Sequence, residues 1–230
     1  MNKVLQVVAK IHTEFPDKFG IPRQSGLAEN LYGTIVFESE YRDPQALRGL
    51  EDFSHIWLIW FFSANRNEPG RWQPTVRPPR LGGNERMGVF ATRSPFRPNP
   101  IGLSCVEVHS IVLDSQEGPV IVVKGADLMD GTPIYDIKPY IRYADSRPDS
   151  RCGYVETLKE RTLEVVFPEE LQVVVKDKAK LLSLIDTLKL DPRPSYHEDP
   201  ERIYGLSFSD YNVRFRVSDG TLHVVEIEEA

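Results

Sequence analysis

Short apolar runs separated by turn residues fill the first two-thirds of the chain, and they predict β-strands. The candidate strands are residues 4–11, 33–37, 55–62, 87–91, 104–108 and 120–124. The run 55–62 is apolar on both faces and rich in aromatics, so we expect it in the middle of the core. Asp43 followed by Pro44 predicts one short helical turn, with Asp43 as its cap. Six or so strands with little helix favour a mainly β fold with a closed or nearly closed β-barrel, because closure removes exposed strand edges.

The pattern changes near residues 145–153, where a polar, proline-containing stretch is typical of a linker. We therefore expect a β-barrel domain at 1–145 and a smaller C-terminal α+β domain at 153–230. Residues 168–190 predict a helix, although three consecutive valines at 173–175 weaken that prediction. Residues 213–217 and 222–227 predict a hairpin around the turn pair Asp219-Gly220. Arg214 and Arg216 then project from its polar face beside His223, towards either solvent or RNA phosphates.

A segment rich in proline and arginine lies between residues 66 and 100. It holds seven of the 18 prolines, and residues 66–97 hold seven arginines against two glutamates, without lysine or aspartate. This stretch carries a net charge of +5, which leaves −11 for the rest of a chain whose total is −6. Arginine favours forked recognition of phosphate or carboxylate, and long irregular segments in compact domains are usually functional. The segment is therefore either an anion-binding loop or a solvated loop whose arginines serve solubility.

The composition indicates which classes of protein the chain can belong to. With 40% hydrophobic and 27% charged residues the chain is typical of a soluble globular protein. The longest apolar run, 56–62, is too short to span a bilayer, and we expect no secretion signal. Cys105 and Cys152 form no CxxC motif, which indicates a reduced, cytoplasmic compartment. The five histidines are scattered, so we expect no metal site, and glycine-rich nucleotide motifs and a nucleophile elbow are missing.

Several ordered motifs remain, and together they span nearly the whole chain. They are residues 21–27 (IPRQSGL), 75–84 (TVRPPRLGGN), 88–102 (GVFATRSPFRPNPIG), 127–133 (DLMDGTP), 136–140 (DIKPY), 191–194 (DPRP) and 212–217 (NVRFRV). In these motifs the chain resembles the TsaA-like (YaeB/TrmO-type) tRNA (adenine(37)-N6)-methyltransferases, in their bacterial two-domain branch. The resemblance implies a β-barrel methyltransferase of class VIII, unrelated to the Rossmann type, that works as a homodimer. It also implies S-adenosylmethionine as donor and N6-threonylcarbamoyladenosine beside the tRNA anticodon as acceptor.

The resemblance assigns a set of residues to the methyl donor. They are Pro22, Arg23, Gln24, Ser63, Ala64, Arg93, Leu103, Asp127, Leu128, Met129 and Asp130. Arg23 or Arg93 could fork onto the donor carboxylate. Asp127 or Asp130 could pair with its ammonium or accept from its ribose hydroxyls, and the apolar members could sandwich adenine. Taken alone, the two aspartates flank a turn, and turn aspartates usually serve only their own backbone.

The acceptor chemistry suggests two further roles. The lone pair of the acceptor nitrogen is delocalised, so its proton is easier to remove than that of a plain amine. A carboxylate or a water takes this proton, and Asp136 and Asp130 are the candidate carboxylates. The threonyl carboxylate and the tRNA phosphates need cations. The candidates for this role are Arg77, Arg80, Arg86, Arg97, Arg193, Arg214 and Arg216. The alternative is a non-enzymatic β-barrel that binds RNA or an anionic metabolite through the arginine segment, while a hydrolase would need an activated nucleophile or metal cluster.

Overall fold

A closed six-stranded barrel forms the N-terminal part of the computed structural model, which describes residues 4–65, 72–81, 85–158, 162–194 and 199–230. Its strands are β1 (Ala9–His12), β2 (Tyr32–Phe37), β3 (His55–Phe61), β6 (Ile101–Ser115), β7 (Gly118–Lys124) and β8 (Thr132–Pro139). They close in the antiparallel order β1-β2-β7-β6-β3-β8. The predicted mainly β fold and barrel are confirmed. A separate two-stranded ribbon joins β4 (Thr75–Val76) to β5 (Met87–Gly88).

The barrel strands alternate between an inner and an outer face, which corrects the prediction for residues 55–62. Ile56, Leu58 and Trp60 face the core, whereas Trp57 and Ile59 lie half-buried on the outer face. A barrel strand has only one inward face, so an apolar outer row stays near the surface. The predicted strand 87–91 is also too long, because a 3-10 turn at Val89–Ala91 follows β5. The predicted turn is confirmed as a 3-10 helix at Pro44–Leu47, capped by the Asp43 carboxylate.

The C-terminal part packs one helix against a four-stranded sheet. Its elements are β9 (Glu164–Val166), α2 (Glu169–Gln172), α3 (Lys178–Lys189), β10 (Tyr204–Phe208), β11 (Tyr211–Ser218) and β12 (Thr221–Glu229). The short helix α1 (Arg142–Asp145) comes before these elements in the chain. The sheet order is β10-β11-β12-β9, with β9 parallel to β12. We call residues 162–230 the C-terminal unit.

Two predictions for the C-terminal unit have different outcomes. The single helix at 168–190 is wrong, because the chain breaks at the valine run and Asp177 caps a new helix by accepting from two amides. The hairpin is confirmed: Asp219 and Gly220 adopt positive φ angles of 51° and 78°, as a two-residue primed turn requires. Arg216 pairs with His223 on the polar face, as expected.

Two buried clusters hold the chain together, one inside the barrel and one in the C-terminal unit. The β1–β2 loop, residues 13–31, belongs to the second cluster, since Phe15, Ala28 and Leu31 are buried there. Within the expected linker, residues 145–153, residues 146–152 contain neither helix nor strand, while Asp145 ends α1 and Gly153 begins a 3-10 helix. Within the described ranges, no helix is long and apolar enough to cross a membrane.

Candidate active site

Four irregular segments emerge at one end of the barrel. Because neighbouring strands are antiparallel, the β1–β2 loop, the turn after β3, the segment before β6 and residues 125–131 after β7 share that end. Lys18 of the loop donates to the Ala64 carbonyl at 2.9 Å, and Asn65 donates to the Pro95 carbonyl at 3.1 Å. Residues far apart in sequence are thereby brought to one place.

Gln24 and Arg93 make the contact at the centre of this end. The exposed Arg93 guanidinium donates to the Gln24 side-chain oxygen. Pro22, two residues before Gln24, is buried, and Arg23, between Pro22 and Gln24, is exposed. Ser63 is exposed in the turn next to Ala64. The structure therefore brings the expected donor residues of three segments together.

Asp127 is a half-buried carboxyl at the same barrel end. Its half-buried carboxylate accepts from Ser104 Oγ at 2.6 Å, and Ser104 accepts in turn from Trp60 Nε1 at 3.0 Å. Burial raises the pKa of Asp127 above its ordinary value of 3.8, although hydrogen bonds from Ser104 and the Ser25 amide and the nearby Arg93 oppose the rise. The result is an oriented acceptor beside a guanidinium.

The remaining members of the 127–130 motif differ in what they present. Leu128 is 1% exposed and packs in the barrel core, so only its main chain can reach a ligand. Met129 is half-buried, and its carbonyl accepts from Thr132 Oγ1 at 2.6 Å. Asp130 is exposed, accepts from the Thr13 amide and lies 3.1 Å from His12 Nδ1. Asp130 thus stands at the same barrel end as Asp127.

Leu103 and Asp136 lie elsewhere on the barrel. Both pair with Ile59, one from each side, so all three form a row on the outer face. Leu103 is 52% exposed. Asp136 pairs with Lys138 at 2.7 Å and lines a groove of about 520 Å³ with Phe37, at the barrel end opposite to Arg93. Within one chain, these two residues do not join the other candidates.

The arginines of the proline-rich segment divide into structural and exposed ones. Arg97 donates to the carbonyls of Thr92 and Ser94 and so fixes its own loop. Arg77 and Arg86 are exposed, with Arg86 donating to a threonine hydroxyl across the β4–β5 ribbon. Arg66, Arg71 and the side chain of Arg80 lie outside the described residues.

In the C-terminal unit only part of the expected cationic surface is accessible. Arg193 binds Asp191 through two hydrogen bonds, and its side chain is only 12% exposed. Its guanidinium is therefore used within the chain. Arg214 pairs with Glu226 at 3.2 Å on the exposed sheet face, where Arg216 is also exposed.

Two features of this region were missed by sequence reasoning. The first is the Trp60–Ser104–Asp127 relay, which a serine in an otherwise apolar inward row could have suggested. The second is a pair of exposed aromatic rings, Trp72 and Phe90, whose centroids lie 6.1 Å apart beside the β4–β5 ribbon. Across the described parts of the chain, no group of three or more histidine, cysteine, aspartate or glutamate side chains could hold a metal ion.

Comparisons with known proteins agree over nearly the whole chain. The model of the tRNA-methyltransferase O N-terminal domain matches residues 10–146, and that of the TrmO C-terminal domain matches residues 160–230. The tRNA (adenine(37)-N6)-methyltransferase of Escherichia coli K12 is 40% identical over 228 residues, 96% of either chain. A Pseudomonas aeruginosa relative named as an S-adenosylmethionine-dependent methyltransferase is 37% identical over 222 residues, 94% of this chain and 93% of that one.

The same similarity holds in three dimensions. The crystal structure of TrmO from Pseudomonas aeruginosa superposes with a TM-score of 0.77 at 30% identity, over 99% of this chain and 100% of that one. Sequence, fold and both family models therefore agree: the chain belongs to the tRNA-methyltransferase O family.

Proposed function

We propose that this chain transfers a methyl group from S-adenosylmethionine to N6 of adenosine 37 in tRNA, with the threonylcarbamoyl form as its acceptor. Methylation of adenine 37 at N6 in tRNA is the activity named for the Escherichia coli relative, and S-adenosylmethionine is in the name of the Pseudomonas aeruginosa relative. The observation that carries the proposal is the convergence of Gln24, Arg93 and Asp127 from three distant segments at one barrel end.

The chemistry of this convergence fits the donor. Arg93 offers forked N–H groups for a carboxylate, while Asp127 offers an oriented acceptor for an ammonium or ribose hydroxyls. Pro22 is buried two residues before Gln24, and Ser63 and Ala64 lie in the turn after β3 at the same barrel end, where the Ala64 carbonyl already accepts from Lys18. When bound, S-adenosylmethionine supplies a methyl group on a good leaving group, so the protein chiefly has to align the acceptor.

A carboxylate or a water near the site takes the proton that the acceptor nitrogen loses. Asp130 is the candidate within one chain, because it stands exposed at the same barrel end as Asp127. Asp136, the other candidate, faces outward and would act only on a substrate held against the outer surface. Full turnover by an Asp136→Asn variant would remove Asp136 from the reaction.

The acceptor side rests on exposed cations and rings. Arg77 and Arg86 are exposed and would bind the threonyl carboxylate or phosphates, and unmodified adenosine offers no such carboxylate. Unpaired RNA bases stack on aromatic rings, and Trp72 and Phe90 offer two such rings beside the arginines. We also propose that the enzyme acts in the cytoplasm, together with its tRNA. We further propose that it is a homodimer.

The decisive experiment measures transfer of labelled methyl from S-adenosylmethionine to tRNA with and without the threonylcarbamoyl group, followed by nucleoside mass analysis. We expect label on the modified adenosine alone. Label on unmodified adenosine would contradict the proposal that the threonylcarbamoyl form is the acceptor. Donor binding without any label on the tRNA would contradict the proposed tRNA substrate. A chain that binds RNA but no donor would be the non-enzymatic module instead.

A further inference from the structure

The β1–β2 loop packs on the C-terminal unit, although it connects two strands of the barrel. Phe15, Ala28 and Leu31 are 1%, 2% and 2% exposed, and they share a buried cluster with residues of α3 and β10. Phe15 meets Phe208 edge-to-face, with ring centroids 5.5 Å apart. Both flanks of the loop are therefore part of the second hydrophobic core.

Polar contacts fix the same two flanks. The Asn30 side-chain amide donates to Asp186 Oδ2 at 2.6 Å, and Ser183 Oγ donates to the Asn30 carbonyl. On the other flank, the Ser209 amide donates to the Glu14 carbonyl at 2.6 Å. Asp186 and Ser183 belong to α3, so the helix holds the loop at its C-terminal flank directly.

The close fit extends to Gly20, at the start of the loop's tip. Its φ of +90° is one that residues with a side chain rarely adopt, and a Cβ there would overlap Leu206 of β10. The tip itself turns back to the barrel, where Gln24 meets Arg93 and the Gly26 amide donates to the Gly125 carbonyl at 2.9 Å. The C-terminal unit grips the flanks while the tip forms one wall of the candidate site.

We propose that the C-terminal unit is a positioning element for donor binding, because it holds the β1–β2 loop in the shape that places Pro22, Arg23 and Gln24 at the site. This inference rests on the proposed function. A loop held in advance loses less conformational entropy when the donor binds, so its anchors raise donor affinity without touching the donor. The Asn30–Asp186 contact does not involve Arg77 or Arg86, the exposed arginines proposed to bind tRNA.

The test uses full-length Asn30→Ala and Asp186→Ala variants and measures donor affinity by calorimetry without tRNA. We expect donor binding to weaken about tenfold, or about 1.4 kcal/mol, with the double variant no weaker than either single one. The KM for donor should rise while kcat at saturating donor and the KM for tRNA stay unchanged. Lys189→Ala is the matched control, since Lys189 also pairs with Asp186, at 3.0 Å, but does not contact the loop.

A second readout follows the loop itself in the free protein. Lys18 and Arg23 are exposed in the loop, so trypsin should cut after them several-fold faster in the Asn30→Ala and Asp186→Ala variants. Gly20→Ala should behave likewise and supplies an independent variant if one of the others fails to fold. Faster cleavage with unchanged donor affinity would overturn the positioning role alone, whereas an unaltered chain that binds no donor would overturn the proposed function as well.

Discussion

Burial disfavours the ionised form of the Asp127 carboxyl, although this is the form that would bind the proposed donor. Its burial raises its pKa, so the folded chain holds the carboxyl proton more tightly than the unfolded chain does. The contribution of Asp127 to the free energy of unfolding therefore falls as pH rises from 3.8 through the raised pKa. Donor affinity should rise across the same pH range, because the ionised carboxylate is the form that pairs with an ammonium.

We expect Asp127→Asn to weaken donor binding and to leave the melting temperature at neutral pH unchanged or higher. Hydrogen bonds to charged groups contribute about 1.5–3 kcal/mol, so the loss should be tenfold or more. Calorimetric titrations between pH 4 and pH 8 should also lose the pH dependence described above. The exposed Asp114→Asn is the control, and equal donor affinity in the Asp127 and Asp114 variants would contradict the assignment.

Among the elements, β6 depends on one glycine next to the relay. A Cβ at Gly102 would overlap the indole of Trp60, whose Nε1 donates to Ser104. We expect Gly102→Ala to displace the ring, lower the free energy of unfolding by about 1–3 kcal/mol and disorient Asp127. Chemical denaturation measures the first effect and donor titration the second.

The control for this substitution is Gly205→Ala in β10, where a Cβ would meet no atom within 4 Å. Its free energy of unfolding should stay close to that of the unaltered chain. A Gly102→Ala variant of equal stability and donor affinity would show that the ring has room to move, and the relay would then not depend on this close approach.

The elements also show where sequence reasoning succeeds and where it ends. Strands such as β2 and β7 could be predicted because their apolar residues form runs bounded by glycine. β8 was missed because Pro133, Asp136 and Pro139 break its pattern, yet it closes the barrel by pairing with both β1 and β3. The inward Ser104 suggests a buried polar contact, but its partners could not be predicted, since the hydrogen bonds of the relay join residues 44 and 23 positions apart. The donor residues came from resemblance, which carries no geometry.

At the scale of the whole molecule, the barrel has an apolar outer face that the described parts of the chain cover only in part. It is formed by outward residues of β3 and β6, namely Trp57, Ile59, Phe61, Ile101 and Leu103. Apolar surfaces of this kind mark interfaces, and a stable dimer buries about 1,200–2,000 Å² in total. Leu103, a donor position by resemblance, and Asp136 both lie on this face. A second subunit packed here would cover both residues, and the donor position Leu103 would then lie at the subunit interface.

We accordingly predict that Leu103→Glu abolishes dimerisation and donor binding together, because a buried unpaired carboxylate is costly at an apolar interface. Sedimentation equilibrium should give about twice the chain mass of 26.3 kDa for the unaltered protein and a single chain mass for the variant. Leu113→Glu is the matched control, since Leu113 is also on β6 and 48% exposed but lies towards its far end. A monomeric Leu103→Glu variant with normal donor affinity would confine the donor site to one subunit. A variant that remains dimeric would place the interface on another face of the molecule.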